Sequence, residues 1–386
     1  MQNLMESRSL PTQLPTPPAK PSAVSATRPK FPSDAGFHAE VRRRVADYFR
    51  RTGKREQDQP AMYLKSAVIV AWLAGSWALL VFAAETWWQA LPLAVSMALA
   101  LAAVGFSIQH DGGHNAYSSR RWLNKLAARS LDMMGASSFL WHWKHEVIHH
   151  TYTNVSGVDT DIEIGAVVRV TPHQKRRWFH RWQHLYLFPL YAITAPRWHL
   201  YGDFKDVVTG YMGPHKIPRP KGWDLALFVG GKLFSFTWFL AIPMLFHPAW
   251  LVVCFYVLIT GLMGVAMSIV FQLAHCVSEA EFPIPDPETA RLEESWAVHQ
   301  AETTVDFARD NRALSWWVGG LNFQIEHHLF PRVCHIHYPA IAPIVEQTCK
   351  EYGVAYRAHP TFRAGLVSHY KWLREMGRPE PQPATV

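Results

Sequence analysis

The sequence predicts an all-α integral membrane protein, with four transmembrane helices arranged as two hairpins beneath a helical cytoplasmic cap. Two observations on charge predict the membrane part. The 386-residue chain has a formal net charge of +8, yet no Lys or Arg occurs between Ser66 and Ile108 or between Leu233 and His275. Each of these two stretches is long enough for two apolar spans of about 20 residues. A third observation, a set of histidine motifs close to the span ends, predicts that the cap holds a metal site.

Each of the two stretches without Lys or Arg is interrupted by one short link, ETWWQA in the first and HPA in the second. Short links between two apolar helices favour antiparallel neighbours. The spans are predicted at 66–84, 91–108, 225–246 and 250–273. Buried helices of a soluble fold are the alternative, and the long absence of basic residues disfavours it.

The distribution of basic residues predicts the orientation of the chain. The two links carry no Lys or Arg, whereas the N-terminal, central and C-terminal regions are all basic. By the positive-inside rule, these three regions and both termini face the cytoplasm. Lys232, near the start of the third span, is the exception, and it could either extend to the membrane surface or face a protein interior.

The ends of the chain are predicted to be tails. Residues 1–36 are rich in Pro, Ser and Thr and predict a disordered tail, residues 37–372 form the membrane domain, and residues 373–386 form a second disordered tail. Phe37–Arg51 has apolar residues at helical spacing with a basic opposite face, which suits a helix on an anionic membrane surface or a solvated helix end. Two apolar pieces, 133–143 and 182–194, are too short to span and are expected at the interface or against the spans.

The four cysteines disfavour two kinds of site. Cys254, Cys276, Cys334 and Cys349 are widely spaced, and no two of them form a CxxC pair. A disulfide framework and a zinc ribbon are therefore not expected, and free thiols in a reducing compartment are.

Three histidine motifs lie at or beyond the predicted span ends: HDGGH after the second span, HEVIHH in the central region and QIEHH near the end of the domain. On a continuous helix, i and i+4 spacing places His110 and His114 on one face, and likewise His145 and His149. The second and fourth spans both end on the predicted cytoplasmic side. Eight histidines can therefore converge there: His110, His114, His145, His149, His150, His275, His327 and His328.

Adjacent histidines suit a site with two metal ions. On a helix of about 3.6 residues per turn, neighbouring side chains point about 100° apart. One ring of a HisHis pair can therefore face one ion while the next ring faces another. Imidazole nitrogens bind Fe, Zn, Cu and Ni. Any one cluster is also compatible with surface or structural histidines, but three clusters in one topological place favour a two-metal cage.

The segment His145–His149 also matches the HExxH pattern of zinc proteases. In a zinc protease Glu146 would be the general base, and the zinc ion would need only one further protein ligand besides the two histidines. The protease alternative leaves five histidines without a role: His110, His114, His150, His327 and His328.

Taken together, the motifs resemble those of the membrane-bound fatty acid desaturase family. HxxxH, HxxxHH and QxxHH occur in that family's order, and the flanking sequences HDGGHNAYS, HHTYTNVSGVDTDI and GGLNFQIEHHLFP are also similar. The resemblance extends from about Phe37 to Tyr370. Gln324, at the head of the third box, resembles the front-end subgroup, in which the new double bond falls between an existing one and the carboxyl end.

The resemblance implies a di-iron site. The catalytic iron ligands would be His110, His114, His145, His149, His150, His327 and His328. His275 matches a position at which relatives carry an extra metal ligand after the fourth span. Gln324 stands at the cofactor site where other desaturases have histidine, and the resemblance does not say whether it touches iron.

The resemblance also implies O₂ as co-substrate and an acyl-lipid or acyl-CoA as the membrane substrate. Many eukaryotic front-end desaturases carry a fused cytochrome b5 domain with an HPGG haem motif, and no HPGG occurs in this sequence. Electrons are therefore expected from a separate ferredoxin or cytochrome b5-type donor. Nucleic acid is not among the expected partners.

Five carboxylates are candidates to orient ligand imidazoles: Asp111, Glu146, Asp159, Asp161 and Glu326. Three other functions remain open. A related di-iron hydroxylase of alkanes, sphingolipids or carotenoids would have the same metal site. A membrane zinc protease would use HEVIH, and a lipid-binding protein would carry the histidine motifs without catalysis.

Overall fold

Four long helices form the membrane part of the protein. We describe the fold from a computed structural model that covers residues 28–163 and 165–379. In this part of the chain, four helices are long and apolar enough to cross a membrane, and we call them the first to fourth spans: Pro60–Phe82, Trp87–Gly113, Trp223–Met244 and Ala249–His275. The predicted spans are confirmed in number and order. Their bounds differ, since the first span begins at Pro60 and the second continues to Gly113.

A capping box starts the second span. The Gln89 side chain accepts hydrogen bonds from the backbone N–H groups of Glu85 and Thr86, at 2.9 and 3.2 Å, while the Thr86 side chain accepts one from the backbone of Gln89. These bonds satisfy donors that would otherwise be unpaired at the start of a helix. The second span then packs against both the first and the fourth spans.

Lys232 of the third span faces the protein interior. Its ammonium group donates hydrogen bonds to the carboxylate of Asp203 at 2.8 Å, and to the carbonyls of Gly135 at 2.6 Å and His199 at 3.1 Å. Charged groups within membrane segments generally face the protein interior and pair with one another or with carbonyls. The sequence allowed Lys232 either to extend to the membrane surface or to face the protein interior, and the structure shows the second placement.

Short helices and two small sheets form the cap. The helices are Phe37–Thr52, Arg121–Ala128, Ser130–Met134, Ser138–Trp141, His142–His149, Trp178–Trp182, Gln183–Leu190, Tyr191–Ile193, Thr194–Arg197, Trp198–Gly202, Asp203–Thr209, Trp296–Glu302, Arg312–Trp317, Gln324–Leu329, His335–His337, Tyr338–Tyr352 and Phe362–Met376. Tyr211–Met212 pairs antiparallel with His215–Lys216. Asp306–Phe307 pairs in parallel with Ala358–His359.

The N-terminal helix, Phe37–Thr52, does not expose its apolar face to a membrane. Phe37 and Val41 join one buried cluster with the helix Tyr338–Tyr352, and Val45 and Phe49 join another. The amphipathic pattern predicted from the sequence is thus confirmed. Its apolar side is covered by protein, so the interpretation as a helix lying on a membrane surface is wrong.

The two predicted tails are shorter than expected within the described residues. Lys30, inside the predicted tail 1–36, donates a backbone hydrogen bond to Ala290 and accepts one from Leu292, both at 2.9 Å. The helix Phe362–Met376 continues past residue 372, and its Leu373 is fully buried, so the predicted boundary at 373 is wrong. Residues 1–27 and 380–386 lie outside the described residues, and the tails predicted there stay predictions.

The two short apolar pieces pack against the spans. The piece 133–143 follows Asp132, which lies so close to the third span that a Cβ on Gly231 would be 2.7 Å from its side chain. The piece 182–194 crosses the fourth span, where a Cβ on Gly264 would be 2.8 Å from the carbonyl oxygen of Tyr191. These close approaches require glycine at both positions, and they join the cap rigidly to the membrane part.

Candidate metal centre

The eight histidines expected to converge form one cage. The ligand-capable ring nitrogens of four of them lie within 4.8 Å of one another, and we call this the first histidine group: His110, His114, His145 and His327. The second histidine group meets the same limit and consists of His149, His275 and His328. His150 forms a further set of this size with His327 and His328, so it links the two groups.

The end of the second span brings His110 and His114 into the cage. Their ring centroids lie 4.7 Å apart, as i and i+4 spacing predicts. The two glycines between them permit close packing, because a Cβ on Gly113 would lie 2.2 Å from the ring of Trp141. A Cβ on Gly112 would likewise lie 2.5 Å from the backbone of the next helix. The HDGGH motif therefore needs small residues at its centre for a steric reason.

The second motif, HEVIHH, folds as a π-helix, His142–His149. The N–H of His150 donates to the carbonyl of His145 at 3.0 Å, a bond across five residues. This wider turn brings the Nε2 atoms of His145 and His150 to 3.3 Å from each other. The α-helical spacing placed His145 and His149 on one face, and their rings do stack at 5.2 Å, but their ligand-capable nitrogens belong to different histidine groups. π-helical turns are frequent at functional sites.

His327 and His328 divide between the two groups. Both lie on the short helix Gln324–Leu329, and their ring planes are 81° apart. His327 faces the first histidine group and His328 the second. The two rings thus diverge, as neighbouring positions on a helix predict, and the prediction that they face two separate ions stays a prediction.

The ring nitrogens in the cage fit a metal. The Nε2 atoms of His110 and His145 are 3.2 Å apart, and those of His150 and His327 are 3.0 Å apart. Within the described structure, the buried Nε2 atom of His328 has no hydrogen-bond partner. Where Nδ1 carries the proton, each Nε2 presents a lone pair, so several lone pairs point into one small space. A cation satisfies all of them at once, and unpaired buried nitrogens would otherwise be costly.

Comparison with protein families agrees with this cage. A sequence model described as "Fatty acid desaturase" matches residues 85–360, which include all eight histidines. The chain belongs to the fatty acid desaturase family. The zinc protease and the non-catalytic lipid-binding protein are therefore no longer needed to explain the motifs.

Three relatives cover most of this desaturase. It is 39% identical to the "sn-1 linoleoyl-lipid 6-desaturase" of Arthrospira platensis over 90% of this chain and 94% of that protein. It is 38% identical to the enzyme of the same name from Synechocystis sp. over 92% and 99% of the two chains. It is 39% identical to the "Acyl-lipid (8-3)-desaturase" of Physcomitrium patens over 89% and 72%. The protein is a membrane oxidoreductase of lipid metabolism that introduces a double bond into a fatty acyl chain.

Short hydrogen bonds orient two rings of the second histidine group. The Nδ1–H of His149 donates to Asp159 at 2.8 Å, and the Nδ1–H of His328 donates to the side-chain carbonyl of Gln300 at 2.8 Å. Both acceptors fix the proton on Nδ1, which leaves Nε2 free to bind a metal. The desaturase thus sets the tautomer of these rings from outside the cage.

The corresponding contacts in the first histidine group are longer. Nδ1 of His145 lies 3.3 Å from Asp161, a carboxylate that also pairs with Lys144. Nδ1 of His327 lies 3.3 Å from the hydroxyl of Tyr338. Hydrogen bonds weaken with distance, so these partners constrain their rings less than Asp159 constrains His149.

Burial keeps several ligand candidates neutral. Burial, and then the neighbouring imidazoles, lower the pKa of His150, His327 and His328 well below the usual range. Neutral imidazole is the form that binds metals. Burial acts on His149 in the same direction, but the charge and hydrogen bond of Asp159 outweigh it and raise the pKa of His149.

Of the five carboxylates predicted to orient ligands, Asp159 and Asp161 contact box histidines. The other three bond elsewhere: Asp111 with His335 at 2.9 Å, Glu146 with His142 at 2.9 Å and Glu326 with Tyr356 at 3.0 Å. For these three the prediction is wrong. The reason is that a side chain next to a ligand in sequence points away from that ligand's face of the helix.

Three residues of the site were missed from the sequence: Gln300, Tyr338 and Trp141. The Trp141 ring stacks on His145 at 4.7 Å and meets the rings of His110 and His114 edge-on at 5.8 and 5.4 Å. Trp141 precedes His145 by four residues, and that spacing could have identified it. Gln300 and Tyr338 lie in segments without a histidine motif, and no sequence signal pointed to them.

Gln324 is buried at the start of the helix that carries the third box. Its side-chain Nε2 donates to the carbonyl of Leu321 at 2.8 Å. This bond holds the amide against the preceding turn. The prediction that Gln324 takes part in cofactor binding stays a prediction.

Proposed function

We propose that this desaturase is a di-iron, front-end acyl-lipid desaturase. It inserts a double bond between an existing double bond and the carboxyl end of an acyl chain held in a membrane lipid. The observation that carries the proposal is the cage of two histidine groups joined by His150 and the HisHis pair. The names of the relatives, which describe a 6-desaturase of linoleoyl-lipid, support the regiochemistry and the lipid substrate. Gln324 at the head of the third box is a further support.

The first histidine group and the second would each hold one iron ion, with His150 close to both. All-imidazole donors suit iron, and eight rings, seven of them buried and that of His145 partly buried, are enough for two ions with open positions. Iron held by these histidines would supply the oxidising power for this reaction, in which O₂, two electrons and two protons remove two hydrogens from adjacent methylenes and yield two water molecules. Acid–base groups alone cannot do this, because an alkyl C–H bond has no acidic proton.

The residues of the chain position the cage and exclude water from it. Asp159 and Gln300 hold the rings of the second histidine group with Nε2 directed inward. Trp141 covers the first histidine group, and Phe271 packs 5.2 Å from His149 and 4.7 Å from His275. These aromatic rings supply apolar walls against which an acyl chain can lie.

The metal centre and both termini are proposed to face the cytoplasm. The histidines lie at the span ends opposite the two links, and those links lack Lys and Arg. Electrons are proposed to come from a separate acidic ferredoxin or cytochrome b5-type protein that docks by charge on the basic central and terminal regions of the chain. Turnover supported by such a donor is expected to fall steeply with added salt. Turnover that is insensitive to salt contradicts docking by charge.

The deciding experiment is expression in a lipid-producing host that is fed mono- and diunsaturated fatty acids, with mass spectrometry of the extracted lipids. We expect a new double bond on the carboxyl side of an existing one. His327→Ala should abolish it, whereas His142→Ala, whose ring bonds Glu146 outside the cage, should retain it. A hydroxylated product would instead identify the related di-iron hydroxylase. A double bond on the methyl side would contradict the front-end assignment.

Separate assays with acyl-lipid and acyl-CoA identify the acyl carrier. Purified enzyme should convert chains esterified in lipid and leave acyl-CoA unchanged. Conversion of acyl-CoA alone would contradict the lipid substrate while leaving the desaturase activity in place.

A further inference from the structure

A basic and aromatic strip lies exposed beside the fourth span. We call residues 175–193 the interfacial strip. Its exposed side chains fall into three kinds, namely cations, indole rings and aliphatic groups: Lys175, Arg177 and Arg181, then Trp178 and Trp182, then Leu185 and Ile193. The cations are confined to the first seven residues and the aliphatic groups to the remainder. The strip therefore changes from basic to apolar along its length.

Contacts with the fourth span show how deep the strip lies in the membrane. Thr194, next to the apolar end, lies beside this span, with its hydroxyl 3.2 Å from that of Ser268. Tyr191 touches the span at Gly264, which is 11 residues before His275 and thus about 16 Å below it. The fourth span has 27 residues, or roughly 40 Å, against about 30 Å for a hydrocarbon core. The apolar end of the strip is therefore immersed in the bilayer.

The basic end lies in the cap, beyond the end of the fourth span. The guanidinium of Arg176 donates to the carbonyl of Gly377 at 2.9 Å, and a Cβ on Gly377 would lie 2.3 Å from the carbonyl oxygen of His180. Gln183 donates to the carbonyl of Leu373 at 2.8 Å. The C-terminal helix thus supports the strip from behind and holds its outer face in one orientation. The change from basic to apolar runs along the membrane normal.

The basic end contains a shallow, largely apolar depression with two cations among its lining residues. Its volume is about 360 Å³, and it is lined by Lys175, Arg177, Trp178 and Phe179. Within residues 28–163 and 165–379, no carboxylate pairs with Lys175, Arg177 or Arg181. The guanidinium of Arg181 instead lies 3.7 Å from the centre of the Trp182 ring. The positive charge of this region therefore has no neutralising partner in the described protein.

We propose that the interfacial strip binds an anionic phospholipid. The phosphate occupies the depression between Lys175 and Arg177, and the acyl chains lie along Trp182, Leu185 and Ile193. Cations near a membrane surface attract anionic headgroups, and indole rings favour the headgroup level. This lipid is a bound component of the bilayer, distinct from the substrate. A soluble acidic protein would match the cations, but it would not contact the aliphatic part of the strip, which lies in the membrane. A phospholipid contacts both parts.

The test is lipid binding to the purified full-length enzyme in detergent. Native mass spectrometry would follow titration with 1-palmitoyl-2-oleoyl phosphatidylglycerol and with the matching phosphatidylcholine. We expect phosphatidylglycerol to bind more tightly. In K175Q/R177Q its affinity should fall about 25-fold, at roughly fivefold for each interfacial cation, while phosphatidylcholine binding is unchanged. The matched control R42Q/R51Q removes two exposed cations from the N-terminal helix and should retain wild-type binding.

A second variant tests the aromatic part of the strip. Trp182→Ser should weaken both lipids, because the ring is a contact shared by any phospholipid, and Trp182→Phe should restore most of the loss. Elution volume and iron content establish that each variant is folded. Equal affinity of the wild type for the two lipids would overturn the proposal, as would equal losses in K175Q/R177Q and R42Q/R51Q. Displacement of phosphatidylglycerol by millimolar inorganic phosphate would identify a free-anion site instead.

Discussion

The two histidine groups hold their rings in different ways. In the second, hydrogen bonds of 2.8 Å that the ring N–H groups donate to Asp159 and Gln300 fix the orientation from outside the cage. In the first, the corresponding contacts are 3.3 Å long, and the broad ring of Trp141 packs against three of its four members. One half of the metal centre is therefore oriented by hydrogen bonds and the other half mainly by packing. Substitutions around the two halves should therefore have different effects on iron affinity and on turnover.

Removal of one ring from either group should have the largest effect. His149→Ala and His114→Ala should each lower turnover by more than about 100-fold, since even the outer partners of metal ligands are worth about 10- to 100-fold. Each variant should also lose iron from its own half of the cage. Iron content by plasma mass spectrometry, with His142→Ala as control, checks this. Two retained irons in both variants would contradict the assignment of the groups.

Loss of a carboxylate should affect the two groups unequally. Asp159→Asn removes the charge and short hydrogen bond that act on His149, and iron affinity should fall by about 10- to 100-fold. Asp161→Asn should cost less, because its contact with His145 is longer and Lys144 shares the carboxylate. Rates of iron loss to a chelator measure both effects, with thermal unfolding as a check on folding. A larger loss of iron affinity in Asp161→Asn than in Asp159→Asn would contradict the proposed difference between the two histidine groups.

Trp141→Leu should impair turnover while leaving iron in place. The first histidine group would lose its packing surface, and misplacement of its rings should lower turnover by about tenfold. Turnover per bound iron is the measurement. If Trp141→Leu lost iron as fast as Asp159→Asn, packing would be as important for holding iron in the first histidine group as hydrogen bonding is in the second.

Gln324→Ala should have the smallest effect. The amide bonds the carbonyl of Leu321, so its loss removes one ordinary hydrogen bond worth about 1 kcal/mol. Iron content should stay at the wild-type value and turnover should fall less than about fivefold. Iron loss comparable to that of His149→Ala would show that Gln324 is a ligand after all.

The spans and the histidine motifs could be predicted because they depend on local patterns. Absence of Lys and Arg over about 40 residues of apolar sequence indicates a membrane or a large core. The i and i+4 spacing of His110 and His114 depends only on helix geometry. The π-helix His142–His149 was missed, because the α and π forms of one sequence differ by a single hydrogen-bond shift. Gln300 and Tyr338 were missed because their roles arise only when distant segments meet.

Amphipathic composition was the least reliable guide to which surfaces stay exposed. The N-terminal helix Phe37–Thr52 has the composition of a membrane-surface helix, yet its apolar side faces other helices. The interfacial strip has a similar composition, and its indole rings stay exposed. Composition alone cannot tell which amphipathic surface the rest of the fold will cover.

The pairing of Lys232 constrains the order in which the chain can assemble. Its three acceptors, Asp203 and the carbonyls of Gly135 and His199, all precede it in the sequence. Because chains are synthesised from the N-terminus, these acceptors have left the ribosome before the lysine emerges. The third span can therefore enter the bilayer with its charge already matched, provided that the segment 135–203 has docked against the membrane first. The groups that match the charge of this span thus lie in a segment that is translated before it.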